Sequence, residues 1–492
     1  MIKLTSWQKC LAIPVLSALM AIASAAQTLT TLARFNGVDG SDPYFAPLLQ
    51  GADGNFYGTT AYGGANCSPY GCGTVFKITA KGVLTTLYSF CTQSYCSDGN
   101  YPYSGLIQAT DGNFYGTTSQ GGPSGHGGTI FKITPAGKLT TLYSFCTQTD
   151  CTDGAYVPGG LMQGADGNFY GTTFSGGIPD SQYCLGGCGT IFKITPQGKL
   201  TTLHSFAGYP TEGSAPNAGL MQATNGNFYG TTTSGGAFDG GTVFEITPRG
   251  TLTTLHSFGS SATDGVAPYA SLVLGRDGDL YGTTSAGGSG SDGTVFKITR
   301  TGTLTTLYSF CSQTGCTDGA QPEANLTLGT DGNLYGTASR GGAYGEGLIF
   351  NVTSGGTIST LYNFCSGGYP ACPDGLSPYS GLLQATSGNF LGGTISGGGA
   401  FGAGTIFSFS LGLAPFVETM QVSGNVGAQI SILGDDLTGT TGVTFHGISA
   451  QFTVLRPSLI LAEVPIGATS GFVIVTTPRG QLKSKAQFQV NP

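Results

Sequence analysis

Charge is scarce in this chain. Lys, Arg, Asp and Glu together make up 9% of its 492 residues, against roughly a quarter in an average domain. The formal charge is -7, and the few basic residues form no cluster, which argues against nucleic acid or an anionic membrane as partner. Long apolar runs are also missing. Beyond residue 26 nothing approaches the roughly 18 consecutive apolar residues of a membrane helix, so no membrane insertion is expected. Histidine occurs four times, and no H-E-x-x-H, G-x-S-x-G or phosphate-binding loop is present, so no catalytic residue can be named. Glycine runs such as Gly121-Gly122 and Ser396–Gly399 precede no helical pattern, which argues against nucleotide binding.

What the chain has in abundance is glycine (85 residues), with 39% apolar and 11% aromatic residues. That composition fits a turn-rich all-β protein rather than a disordered one. The first residues follow the pattern of a secretory signal peptide. Lys3 and Lys9 precede the apolar run Leu11–Ala21, and Ala23-Ser24-Ala25 offers a small-residue cleavage site. Residues 1–26 are therefore read as a signal peptide and the mature chain, at -9, as secreted or cell-surface and monomeric. After Cys10, twelve cysteines remain in close pairs: Cys67/Cys72, Cys91/Cys96, Cys146/Cys151, Cys184/Cys188, Cys311/Cys316 and Cys365/Cys372. An even number in an exported chain points to disulfides. Zinc is the rival, but it needs two such pairs brought together, and one pair per loop fits local staples that fix loop shape.

The stretch DGNFYGTT stands at Asp53–Thr60, Asp111–Thr118 and Asp166–Thr173. Variants follow at Asn225–Thr232, Asp277–Thr284, Asp331–Ala338 and Ser387–Thr394, giving seven copies spaced 52 to 59 residues apart. A period in that range marks a repeat architecture. One repeat reads as four strands: Leu106–Ala109, a tight Asp-Gly-Asn turn, Phe114–Ser119, a glycine-rich loop, Thr129–Thr134, a Pro-Ala-Gly turn, and Leu139–Phe145. Four antiparallel strands are the make-up of a propeller blade. The first LTTL-type strand, Leu29–Phe35, precedes any DGN turn, and the last repeat ends at its third strand, Gly404–Ser410. A ring resolves the mismatch if the N-terminal strand completes the last blade, and this favours a propeller over an open solenoid. The expected fold is all-β: a seven-bladed β-propeller over 27–411, closed by its N-terminal strand. Residues 415–492 have no cysteine and no DGN turn, and their short alternating strands read as a small immunoglobulin-like β-sandwich.

The pattern D-G-N-F-Y-G-T-T-S-x-G-G, then G-T-(V/I)-F-K-I-T-P-x-G-x-L-T-T-L-Y-S-F, resembles the GloVer tandem repeat of exported bacterial proteins (the choice-of-anchor group) over residues 29–410. The resemblance implies fold and export, and no reaction. The tail is similar to the IPT/TIG domain at Ile430–Leu437, Val443–Gly447, Val464–Ala468 and Val475–Gly480. Such modules imply a spacer or a carbohydrate-associated domain.

In a propeller the glycine-rich loops, the cysteine pairs and the links between blades share one face, opposite the DGN turns. Braced, variable loops are where binding sites tend to sit. Each link carries an acid before glycine: Asp39, Asp98, Asp153, Glu212, Asp264, Asp318 and Asp374. Sevenfold repetition favours a turn-stabilising role over catalysis, which needs an asymmetric pair. Ahead of each innermost strand lies a position that varies: Tyr44, Tyr103, Gly159, Asn217, Tyr269, Glu323 and Tyr379. Of these, Tyr44, Tyr103, Asn217, Tyr269, Glu323 and Tyr379 are the candidate ligand-binding residues at a channel mouth, suited to an extracellular glycan or protein ligand. Packing of the tyrosines between blades is the alternative. A hydrolase or lyase would pair Glu323 with Asp318 or Asp264. His204 and His256 occupy the Tyr position of LTTLYSF and read as surface or packing residues. No cofactor or metal is called for; Ca2+ at the DGN turns stays open as a weak alternative, since it needs more oxygens than one turn supplies.

Overall fold

The computed structural model describes residues 27–491 apart from 46, 68–70, 179–183, 370 and 400. The signal-peptide reading thus lies outside the described residues. Every described element is a strand except for three single-turn 3-10 helices, and no helix is long and apolar enough to cross a membrane.

The repeats form seven four-stranded antiparallel sheets. Sheet one is typical, with strands Leu49–Gln50, Phe56–Thr60, Thr74–Ile78 and Leu84–Ser89. The innermost strand is only two residues long, shorter than the apolar run around it. Burial falls outward: FYGTT is buried throughout, TVFKI shows only its Lys, and LTTLYS is mostly half-exposed. In the last sheet the fourth place is taken by Thr28–Arg34, which pairs antiparallel with Thr405–Ser410 from Thr28↔Ser410 to Arg34↔Thr405. The orphan strand at each end of the chain is thereby paired.

Seven of the apolar clusters each draw on two neighbouring sheets. Tyr57, Val75 and Phe90 of sheet one pack with Phe114, Phe131 and Ile133 of sheet two. The same happens round to Phe35, Ile406 and Leu391, which join Phe56 and Phe76 of sheet one. The sheets therefore close into a ring. Gln50 fastens that seam, its amide group donating to the Thr386 hydroxyl (3.0 Å) and its oxygen accepting from the Thr386 amide (2.9 Å).

The DGNFYGTT stretch explains how neighbours fit. The Asp53 carboxylate accepts from the Asn55 amide (3.1 Å), the Asn55 side chain (2.7 Å) and the Tyr57 hydroxyl (2.8 Å), so the turn is closed by its own strand. The Tyr57 ring lies 4.1 Å from Phe114 of the next sheet, and Tyr115–Phe169 and Tyr170–Phe228 repeat the contact at 4.3 and 4.1 Å. The glycine between them is required by space: a Cβ at Gly171 would lie 2.6 Å from Phe192 Cζ, and the equivalent Gly58 and Gly116 are as tight. The threonines that follow are buried, with Thr60 and Thr74 hydroxyls 2.8 Å apart across the sheet.

All six cysteine pairs are joined as expected. The pairs are local staples as expected, and some of them also reach into the core, as Cys188 shows. Cys188 is 1% exposed and belongs to the apolar cluster of Ile191, Phe206 and Phe244, while its partner Cys184 is partly buried at the edge of that cluster. It stands two residues before the strand Thr190–Ile194, where the loop re-enters the ring, so its sulfur fills the interior between two sheets. Cys72 has the same place ahead of Thr74–Ile78 and is buried too, as are Cys365 and Cys372. These disulfides anchor a loop into the core, and their sulfurs pack as small apolar groups.

Residues 416–491 form a four-stranded and a five-stranded sheet over one core, in which Ile430, Ile432 and Ile460 face Val443, Phe445, Val473 and Phe488. This tail meets the tight-turn face of the ring, where the Ser458 hydroxyl donates to the Ala52 carbonyl (2.9 Å) and the Phe416 amide to the Thr386 carbonyl (2.9 Å).

If the glycine holds each sheet against its own phenylalanine, Gly171→Ala overpacks the interior. It should destabilise the fold by about 1–3 kcal/mol, read as a lower guanidinium midpoint at unchanged m-value.

Candidate ligand-binding pocket

The link entering each sheet is zipped to the glycine-rich loop of that sheet. Backbone bridges join Ser41 to Tyr62, Asn100 to Gln120, Ala155 to Ser175 and Ala320 to Arg340. Links, glycine-rich loops and cysteine pairs therefore gather at one end of the ring, away from the DGN turns and the tail.

At that end Tyr44, Tyr103, Asn217, Tyr269, Glu323 and Tyr379 all line one cavity of about 590 Å3. Its floor continues into a narrower channel of about 170 Å3 that shares Asn217, Tyr269 and Glu323 and runs between Gly105, Gly160 and Gly219. Gly159 is one residue out of place. The hydroxyls of Thr59, Thr117 and Thr172 donate to the carbonyls of Ser104, Gly159 and Ala218, so Gly159 matches Ser104 and it is Pro158 that stands where Tyr103 does. Pro158 lines the cavity accordingly. The link from Asp153 carries its proline one residue later than the link from Asp98, which has Pro102. The disulfide sulfurs, Cys188 among them, brace the loops from behind and are not part of the cavity wall.

The cavity has further walls that the position before the inner strand does not reveal: Phe45, Tyr62, Tyr156, Phe174, Gln321 and Arg340. Phe45 is an extra residue in the first link. Tyr62 and Arg340 follow the FYGTT strand, and Tyr156 and Gln321 precede the link proline position. Both positions vary from repeat to repeat, and that variation was the available signal. The walls differ from side to side. Tyr44 stacks on Tyr379 (centroids 5.0 Å) and meets Phe45 and Tyr103 edge-on at 4.4 and 5.6 Å, while Phe45 stacks on Tyr269 at 6.4 Å. Asn217, Gln321, Glu323 and Arg340 make the other wall polar. The Tyr62 and Tyr103 hydroxyls bond each other at 3.0 Å. Among the described residues, the side-chain polar groups of Tyr44, Tyr269, Tyr379, Asn217, Glu323 and Arg340 make no hydrogen bond or ion pair of their own.

Burial lifts the Glu323 carboxyl from an ordinary 4.5 to about 7, against the opposing pull of Arg340. It also raises the Tyr44 and Tyr103 hydroxyls, with neighbouring tyrosines adding to the effect. The Glu323 carboxyl is therefore poised to donate as well as accept near neutral pH.

The link acids are occupied elsewhere. Asp318 accepts from the Tyr308 hydroxyl (2.7 Å) and from the Ser312 amide and hydroxyl (2.9 and 2.7 Å). Asp98 holds Tyr88 and Thr92 in the same way. His204 and His256 stand in for that tyrosine with a role beyond packing: they pair with Glu212 (3.0 Å) and Asp264 (3.2 Å). Neither Asp318 nor Asp264 lines the cavity, so the two-carboxylate arrangement with Glu323 is not formed.

The sequence profile of the Gloeobacter/Verrucomicrobia repeat matches residues 17–184 and 147–317. This chain belongs to that family. No curated protein matches it. Among solved structures, a copper-bound fungal alcohol oxidase of the AA5 family is similar at 14% identity and a TM-score of 0.51, over 95% of this chain and all of the other. A protein of unknown function from Bacteroides thetaiotaomicron is similar at 13% identity and a TM-score of 0.40, over 78% of this chain and 76% of the other. At such identity the common feature of this family member and the oxidase is the fold.

The raised carboxyl makes a prediction about stability. The folded chain keeps the Glu323 proton to higher pH than the unfolded chain does, so this group's contribution declines as pH rises from about 4.5 to about 7 and is flat above. Glu323→Gln should flatten that part of the unfolding midpoint against pH. A residual slope should persist from Asp42, which burial lifts to about 6.

Proposed function

We propose that the chain is an exported, non-enzymatic binding protein. In this reading residues 27–411 form a seven-bladed propeller whose disulfide-braced face recognises a glycan. Residues 415–492 are an immunoglobulin-like sandwich serving as spacer. The observation that carries the reading is the cavity itself. Flat aromatic faces beside amide, carboxyl, guanidinium and phenol groups without internal partners suit a sugar, which offers apolar ring faces and a rim of hydroxyls. These groups are half-buried or, at Arg340, exposed, so a ligand's hydroxyls would take the place of water at them. The engagement of Asp318 and Asp264 in their own loops leaves Glu323 as the single acid of the cavity, which favours binding over a two-carboxylate hydrolysis. Six disulfides support an oxidising compartment.

The test is a polysaccharide panel scored for both retention and product release. Retention without release is expected. A combined Tyr103→Ala and Tyr269→Ala variant should lose at least about tenfold in affinity, since each stacked aromatic contributes about 0.5–1.5 kcal/mol beyond its area, while remaining folded with a single cooperative unfolding transition at a somewhat lower midpoint. Unchanged retention in that variant would sink the cavity as the site, and soluble sugar products would sink the non-enzymatic reading.

A further inference from the structure

The cysteine pairs are not all isolated. Cys67–Cys72 lies in the glycine-rich loop of sheet one and Cys91–Cys96 in the link from sheet one to sheet two, and the structure places the two side by side. All four Sγ atoms lie within 4.8 Å of one another. Cys146–Cys151 and Cys365–Cys372 have no such neighbour among the described residues, and Cys311 and Cys316 have only the carboxylate of Asp292. A zinc-type ion bound by four thiolates at about 2.3 Å needs sulfurs about 3.8 Å apart, within the span seen here. The surroundings suit such an ion: Cys72 is 3% exposed against Val75, Phe90 and Phe131, while Cys67, Cys91 and Cys96 are partly open to solvent. That combination leaves an entry path on one side and a dry wall on the other.

We propose that Cys67, Cys72, Cys91 and Cys96 form a redox-gated metal site, closed as two disulfides when oxidised and able to hold one thiophilic divalent ion of the zinc type when reduced. The chemistry balances with an external dithiol as reductant. Two dithiols give up four electrons and four protons, becoming disulfides, and the two protein disulfides become four thiols. The ion then displaces four protons and binds four thiolates. Oxidation by two external disulfides reverses the sequence: they take up four electrons and, from solvent, four protons to become thiols, two protein S–S bonds form and the ion is expelled. The proposal is independent of what the cavity binds.

The test uses the full chain reduced by a phosphine, which does not compete for the metal as a dithiol would, and titrated with Co2+ and then Zn2+. About one Co2+ per chain should bind with thiolate charge-transfer and tetrahedral bands, and Zn2+ should displace it. The oxidised chain should bind none. A Cys146→Ser/Cys151→Ser variant should keep the spectrum, and a Cys91→Ser/Cys96→Ser variant should lose it. Because ion binding would itself drive local folding, a reduced chain that shows no tetrathiolate spectrum, whether or not it stays folded, overturns the proposal. So does a spectrum that survives Cys91→Ser/Cys96→Ser.

Discussion

The ring rests on one steric relation repeated along its circumference. A strand-two glycine has no Cβ, so the strand-three phenylalanine of the same sheet lies directly over it. That leaves the adjacent tyrosine free to reach the next sheet, where Tyr57, Tyr115, Tyr170 and Tyr335 each meet a phenylalanine at 4.1–4.3 Å and Tyr229 and Tyr281 join the clusters of Leu280 and Leu334. The tyrosine's hydroxyl ends on the Asp that opens the turn, which ties the intersheet contact to the hairpin geometry. One short stretch thus sets the turn, the packing within a sheet and the packing between sheets. Because each sheet buries its face only against its neighbours, a linear array would expose two faces, and packing of the last sheet on the first, locked by pairing of Thr28–Arg34 with Thr405–Ser410, removes both.

That economy explains what the sequence discloses. A packing solution used seven times writes itself as a period, so the number of sheets, their four strands and the orphan strand at each end are legible without coordinates. The tail was legible in part: Gln429–Leu433 and Gly471–Thr477 alternate cleanly, whereas the last strand runs over Gly480–Asn491 and the short strands Glu418–Thr419, Ser423–Asn425 and Ile448–Ser449 carry no pattern long enough to read. Six candidate residues converge on one cavity because an equivalent position in a closed ring must face the axis.

Illegible features are those where a repeat departs from its own pattern. Val157 fills the buried place of Pro102, and Pro158 mimics the motif one residue late. Phe45 belongs to no aligned position at all. Adjacency of Cys67–Cys72 and Cys91–Cys96 depends on two strands folding back between them, which spacing in a linear sequence does not convey. Spacing is equally silent on burial: Cys184 and Cys188 are four residues apart, yet one sits at the edge of an intersheet core and the other inside it. The pairs His204–Glu212 and His256–Asp264 fall in two of the three links that carry no cysteine. There the carboxylate that elsewhere holds a tyrosine hydroxyl holds an imidazole, an exchange of partner that a composition-level reading takes for surface variation. Glu212 is lowered by its bond to His204, and at Asp264 burial is outweighed by His256 and Ser260.

Backbone conformation adds an argument about where specificity resides. The residue that follows each link bridge takes a left-handed φ: 56° at Tyr156, 55° at Gln321, 55° at Ala215 and 56° at Ala267. This is a conformation that a bulky non-glycine residue adopts at some energetic expense. Alanine at 215 and 267 shows that the turn itself asks for no large side chain. Tyr156 and Gln321 nevertheless carry large ones, and both line the cavity, as do Tyr62 and Arg340 from the bridged strand opposite sheets one and six. The framework tolerates strain at the same backbone position in several sheets, and in two of them the strained residue reaches into the cavity. Sevenfold repetition builds the ring, and the identity of the cavity is written in the few positions, on both sides of each bridge, where the repeats stop agreeing.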